Sequence, residues 1–127
     1  MVRTTRARGT RALAGLALVL TAMLTLGTAA VAHHGWSGYD VSKPLNLTGT
    51  IREAGYEHPH GFVKLEVADK VWVVTLAPPS RMENRGLMAA ALKPGTKATV
   101  MGYPNRTDPN EMRAEWIQID GKTTQLR

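Results

Sequence analysis

The chain has 127 residues, 16 basic against 10 acidic, a formal charge of +6 and no cysteine. Four of the basic residues, Arg3, Arg6, Arg8 and Arg11, stand in the first 32 positions, which hold no acidic residue; the other 95 residues carry 12 basic and 10 acidic groups, or +2. That near balance, with a single phenylalanine, speaks against the basic, aromatic-lined groove of a nucleic-acid binder; the missing cysteines exclude a disulfide framework, and 95 residues leave room for one small domain.

In chain order, the basic amino-terminal stretch leads into an uncharged apolar run over residues 12–26 and then into Ala30-Val31-Ala32, which fits the small-x-small rule of signal peptidase. Residues 1–32 are therefore predicted to be a helical, cleavable export signal, with cleavage after Ala32 and a periplasmic or secreted mature chain. The alternative is an uncleaved anchor, since residues 12–32 are just long enough to span about 30 Å of hydrocarbon. No Arg-Arg pair points to the twin-arginine route, and no cysteine follows the apolar run for lipid attachment. Once cleaved, the chain is expected to have no membrane attachment and to be a monomer.

Residues 33–43 read as an irregular arm, with Gly35, Ser37, Gly38 and the following Pro44 breaking any periodicity. The domain proper is expected over 44–127. Alternation with a period of two predicts strands at 45–56, 61–67, 71–77, 96–103 and 112–119, with a bulge where the alternation fails at Trp116-Ile117. The only helical stretch lies within 80–92, where Ser80 and Glu83 match a capping box and Lys93-Pro94-Gly95 ends the segment. Inward faces are expected to bury Leu47, Ile51, Val63, Leu65, Val73, Val100 and Trp116. Three strands, a short helix and two strands predict a mainly β fold, an OB-like five-stranded Greek-key barrel with the helix between strands three and four. A six-stranded, sandwich-like roll is the alternative.

Three stretches also carry a resemblance: "AHHGWSGYD", "LTGTIREAGYEHPH" and "LKPGTKATVMGYP". Together they resemble an uncharacterised family of small exported bacterial proteins known as domain of unknown function 6152, over essentially the whole mature chain. The resemblance implies export and an OB-like barrel, and it implies no activity. The family pattern has Asn-Pro-His where this chain reads His58-Pro59-His60, which adds a potential ligand.

All four histidines fall in two clusters, His33/His34 and His58/His60. If cleavage follows Ala32, His33 presents its α-amine and Nδ1 together, a nitrogen set suited to Cu(II). Cleavage after Val31 or Ala30 instead places histidine third, which also suits copper. The 11-residue arm is long enough to return to the first inter-strand loop, since a chain reaches about 3.3–3.6 Å per residue. His33, His34 and His60 are thus expected to converge, with His58 as a fourth candidate ligand. The plainer alternative leaves the histidines solvated, or His60 fixing a turn, while Trp36 and Tyr39 pack the arm onto the barrel. A Cu(I) site built on Met101 and Met112 beneath Trp72 or Trp116 is weighed against the simpler assignment of these residues to the core. The loops expected to flank the binding face hold Tyr56, Glu57, Tyr103 and Asn105. The carboxylates Glu53, Glu57, Asp108 and Glu111 form no recognisable acid/base pair, and no nucleophile elbow, HExxH or phosphate loop is present. The sequence therefore predicts a non-catalytic, exported binding module that takes copper, or else an envelope protein or small ligand without metal.

Overall fold

A computed structural model describes residues 34–127 and, for His34, the backbone alone. The predicted export signal and His33 lie outside the described residues. After a single helical turn, α1 (His34–Ser37), come β1 (Leu45–Gly55), β2 (Phe62–Val67), β3 (Lys70–Thr75), α2 (Pro79–Asn84), a 3₁₀ turn (Ala89–Leu92), β4 (Lys97–Pro104), β5 (Glu111–Ile119) and β6 (Lys122–Gln125).

The length of β1 lets it serve two neighbours: residues 45–50 pair antiparallel with β4, and residues 50–55 with β2. Antiparallel pairing continues from β2 to β3 and from β4 to β5, while β3 runs parallel to β5 through Val73–Glu111, Val74–Met112 and Thr75–Arg113. The circuit β1-β2-β3-β5-β4 therefore closes on itself. It forms the expected OB-like five-stranded barrel, with α2 between β3 and β4.

Ile51, Val63, Leu65, Val74, Val100, Met112 and Ile117 are enclosed inside it. Each aliphatic side chain so enclosed contributes about 1.5–3 kcal/mol relative to its exposed state, and in a chain without disulfides this burial is the main source of stability. The segment after β3 adds to the same core. Its helix ends in a Schellman turn, in which Leu87 N–H donates to the Met82 carbonyl at 2.8 Å and Gly86 N–H to the Glu83 carbonyl at 2.9 Å. Met82, Leu87 and Leu92 are all buried.

Several expectations need correction. The capping box does not form: Pro78 is the N-cap and no side chain caps the helix, because Pro79 at the first helical position starts it two residues earlier and leaves Ser80 inside. Val73 points outward and is 36% exposed, while its neighbour Val74 is buried; the register that pairs Leu65 with Trp72 and Val63 with Val74 sets this parity. Leu47 and Trp116 are only half-buried, Trp116 because it stands on the outer face of β5 opposite Met101. The sheet also has a sixth strand. Asp120 and Gly121, at φ +49° and +75°, turn the chain back so that β6 pairs with β5.

The irregularity in β5 lies one residue before the predicted place. Met101 faces Trp116 and Gly102 faces Ala114, so Glu115 is the extra residue, and its carbonyl accepts the Leu126 N–H at 2.8 Å. Because the bulge resets parity, Arg113, Glu115 and Trp116 all escape the interior while Met112, Ala114 and Ile117 stay inside it.

Candidate functional site

The outward position of Arg113 on β5 would ordinarily be solvated, yet only 7% of this residue is exposed. The arm covers it. Tyr39 forms an isolated antiparallel bridge with Asn105, Asp40 N–H donates to the Pro104 carbonyl at 2.9 Å, and Arg106 N–H donates to the Gly38 carbonyl at 2.8 Å. These backbone bonds lay residues 38–40 along the loop between β4 and β5.

Side chains then fasten the arm at two points. At the first, Tyr39 OH donates to Glu111 Oε1 at 2.5 Å, while Thr75 Oγ1 (3.3 Å) and Asn105 Nδ2 (3.1 Å) donate to the same carboxylate. Burial raises the Tyr39 pKa, and the Glu111 carboxylate raises it further, so the phenol keeps its proton and donates. At the second point, the Trp36 ring meets Tyr39 and Tyr103 edge-on, with centroids 6.4 and 6.2 Å apart. The guanidinium carbons of Arg113 and Arg127 lie 4.4 and 4.7 Å from the Trp36 ring centroid, within the range of favourable cation–π attraction. Tyr103 OH donates to Glu115 Oε2 at 2.5 Å, and Arg127 approaches the other oxygen at 3.4 Å.

Arg113 ties this arm to the loop between β1 and β2. Its Nη1 donates to the Gly35 carbonyl, and its Nη2 lies 3.1 Å from His60 Nε2. An arginine only donates, so Nε2 accepts, and the neutral ring carries its proton on Nδ1. Burial lowers the His60 pKa, and the charges of Arg113 and then Arg81 lower it further, which favours this neutral form. Arg113 has no carboxylate partner within ion-pair distance among the described residues, and its Nε is buried without a hydrogen-bond partner. The guanidinium is thus compensated by a carbonyl, an imidazole and an indole face rather than by an anion.

The remaining candidates have other roles. His58 and Glu57 are exposed in the β1–β2 loop. Tyr56 packs against the core and donates from its hydroxyl to the Leu87 carbonyl at 2.6 Å. Asn105 Oδ1 accepts from the Thr107 and Asp108 amides at 2.9 and 3.1 Å, closing the β4–β5 loop as a compact turn. Glu53 pairs with Lys64, and Asp108 caps the Asn110 amide. Met112 is enclosed in the core, whereas Met101 stands outside beside Trp116, so the two sulfurs are on opposite faces of the sheet. Among the described residues no three His, Cys, Asp or Glu side chains are grouped to hold a metal.

Sequence reasoning missed Arg113 and Arg127. The available signal was an arginine between Met112 and Ala114 in an otherwise apolar strand.

Fold and site together define a small OB-like barrel whose amino-terminal arm is docked across one outer face. The chain belongs to a family of unknown function, DUF6152, which matches residues 21–113 and so takes in both histidine pairs and Arg113. No curated protein matches it.

Proposed function

We propose that this chain is an exported, non-catalytic binding module that holds Cu(II) at its processed amino terminus. The supporting observation is the attachment of Gly35: its carbonyl is bound by the same guanidinium that holds His60, two residues beyond the proposed terminus at His33. Cleavage after Ala32 gives His33 a free α-amine beside Nδ1, and His34 adds a second imidazole. Copper heads the divalent affinity order for such nitrogen sets. His33 and His34 are the proposed ligands. His60, with Nε2 accepting and Nδ1 protonated, serves the arm and not the metal, and His58 is not required.

The experiment is metal analysis and Cu(II) titration of protein exported and purified without an amino-terminal tag, beside a form carrying one extra residue before His33. The expected result is one copper per untagged chain, with affinity strongly reduced by the extension and falling as pH drops below about 6.5, where imidazoles protonate. Equal binding by both forms, a retained signal in the intact mass, or no copper at all would overturn the proposal.

A second reading has its own observation. On β3, Val71 and Val73 point outward, 45% and 36% exposed, on the barrel face that OB-like proteins use for ligands. That supports an envelope protein or small ligand, bound without metal. Binding of such a partner by protein stripped of copper, and its loss on changing Val71 and Val73, would favour this reading.

A further inference from the structure

We infer that the surface formed by α2, the 3₁₀ turn and β6 docks on an anionic phospholipid bilayer, with Met88 entering the interface and Arg81, Arg85, Lys93 and Lys122 meeting the lipid phosphates. This is a reversible surface contact and not an anchor, and it replaces the expectation of a mature chain with no membrane attachment.

The formal charge of the domain is unevenly placed. Residues 79–97 and 120–127 hold six basic and two acidic groups, or +4, whereas the rest of 34–127 holds six basic and eight acidic groups, or −2. Arg81, Arg85, Lys93 and Lys122 are exposed, and none has a carboxylate within ion-pair distance among the described residues. Bonds to backbone carbonyls bring three of them together. Arg81 Nη1 donates to Leu126 at 3.0 Å, Arg85 Nη1 to Gln125 and Arg127 at 2.7 and 3.0 Å, and Lys122 Nζ to Gly86 at 3.3 Å. Met88 follows Gly86 by two residues and is 54% exposed, while Leu87 and Leu92 are buried. Ala89 and Ala90 are exposed beside it. The two leucines thus hold the turn on the core and leave an apolar tip between Arg85 and Lys93.

The size of that tip selects the partner. One methionine and two alanines are too little for the apolar centre of a protein interface, which covers about 800 Å² on each side. An anionic bilayer asks for less: a shallow apolar insertion and a few cations near the surface, each strengthening attachment about fivefold.

The test sediments the exported protein with vesicles of equal parts phosphatidylcholine and phosphatidylglycerol, and with vesicles of phosphatidylcholine alone. Binding to the anionic vesicles is expected, with release at high salt and little binding to the neutral ones. Arg81→Gln with Arg85→Gln should weaken it about twenty-fivefold, whereas Arg52→Gln with Lys64→Gln, the same change in net charge on the β1–β2 face, should have a much smaller effect. The chain has no cysteine, so Met88→Cys and Val71→Cys each take a single environment-sensitive fluorophore in an otherwise unaltered domain. The label at 88 should shift to the blue on anionic vesicles, and the label at 71 should not. No binding, equal binding to both vesicles, equal losses in the two double variants, or a shift at 71 instead of 88 would overturn the inference. Neither readout involves copper, so this inference and the copper reading fail separately.

Discussion

Two outer faces of the same barrel are built on opposite terms. Across β1, β2 and β3, solvent-accessible ion pairs such as Lys64–Glu53 and Arg52–Glu66, both between β1 and β2, stand beside the outward Val71 and Val73, and these charged groups can exchange their partners for water. Across β4 and β5 the arm covers Arg113, which has no carboxylate partner among the described residues and is only 7% exposed. A surface ion pair contributes about 0–1 kcal/mol and is easily replaced, whereas a buried charge that loses a partner is costly. The arm-covered face is thus the one at which single changes should be felt, even though both faces lie outside the barrel's core.

The largest expected effect is at Arg113. Arg113→Ala strands the Gly35 carbonyl and His60 Nε2 and removes the methylene stem that packs beneath the arm. It should cost about 2–4 kcal/mol in denaturant unfolding. Arg113→Met keeps the stem and removes the buried charge, so its cost should be about half as large. If both variants unfold at the wild-type midpoint, the two faces do not differ in the way described.

Next comes Trp36→Ala, which removes two cation–π contacts and two edge-on aromatic contacts. A loss of about 1–3 kcal/mol is expected, concentrated in the arm. Hydrogen exchange at the Asp40 and Arg106 amides, which donate to Pro104 and Gly38, should accelerate, while exchange within β2 and β3 stays unchanged.

A pH series sharpens the comparison further. The folded His60 pKa lies below its ordinary value of 6.5, first through burial and then through Arg113 and Arg81. The unfolded chain therefore takes up this proton at a higher pH than the folded chain does. The contribution of His60 is fully present above about pH 6.5 and is lost as pH falls from there through the lowered folded value. Asp40, lowered chiefly by its hydrogen bond from Ser42, and Glu66, lowered chiefly by Arg52, lose their contributions only in the more acidic carboxylate range. His60→Asn should accordingly flatten the dependence of the urea midpoint just below about pH 6.5 and leave the acidic limb intact. An unchanged profile would mean that protonation of His60 is not coupled to arm docking.

How much of this was legible in the sequence varied with the polarity of each strand. In β2, Lys64 and Glu66 alternate with Val63 and Leu65, so the inward face could be read directly. In β3, Val71, Trp72, Val73 and Val74 are apolar at both parities, and only the pairing of Leu65 with Trp72 shows which side is inside. The sixth strand had a signal in Asp120-Gly121, but four residues with a single buried side chain offer little alternation. At the site, Trp36 and Tyr39 are conspicuous as aromatics on a glycine-rich arm. Arg113 was not legible, because the carbonyl it binds lies 78 residues away in the chain, and nothing local to β5 indicates what covers its outer face.

The smallest expected effect tests the open face and the corrected register together. Val73 is 36% exposed and Val74 is fully buried, and the two have the same side chain in the same strand. Threonine keeps the β-branch that suits a strand and exchanges one methyl for a hydroxyl. At Val73 that hydroxyl reaches water, so Val73→Thr should change stability by no more than about 0.5 kcal/mol. At Val74 it would enter the interior among Val63, Met112 and their neighbours, where an unpaired hydroxyl costs about 1–3 kcal/mol. Equilibrium urea unfolding of the two variants measures the difference directly. Equal costs at the two positions would place both side chains in one environment and contradict the register that pairs Val63 with Val74. A Val74→Thr loss of the expected size beside a silent Val73→Thr would establish that the β3 face outside the arm is open to solvent in solution.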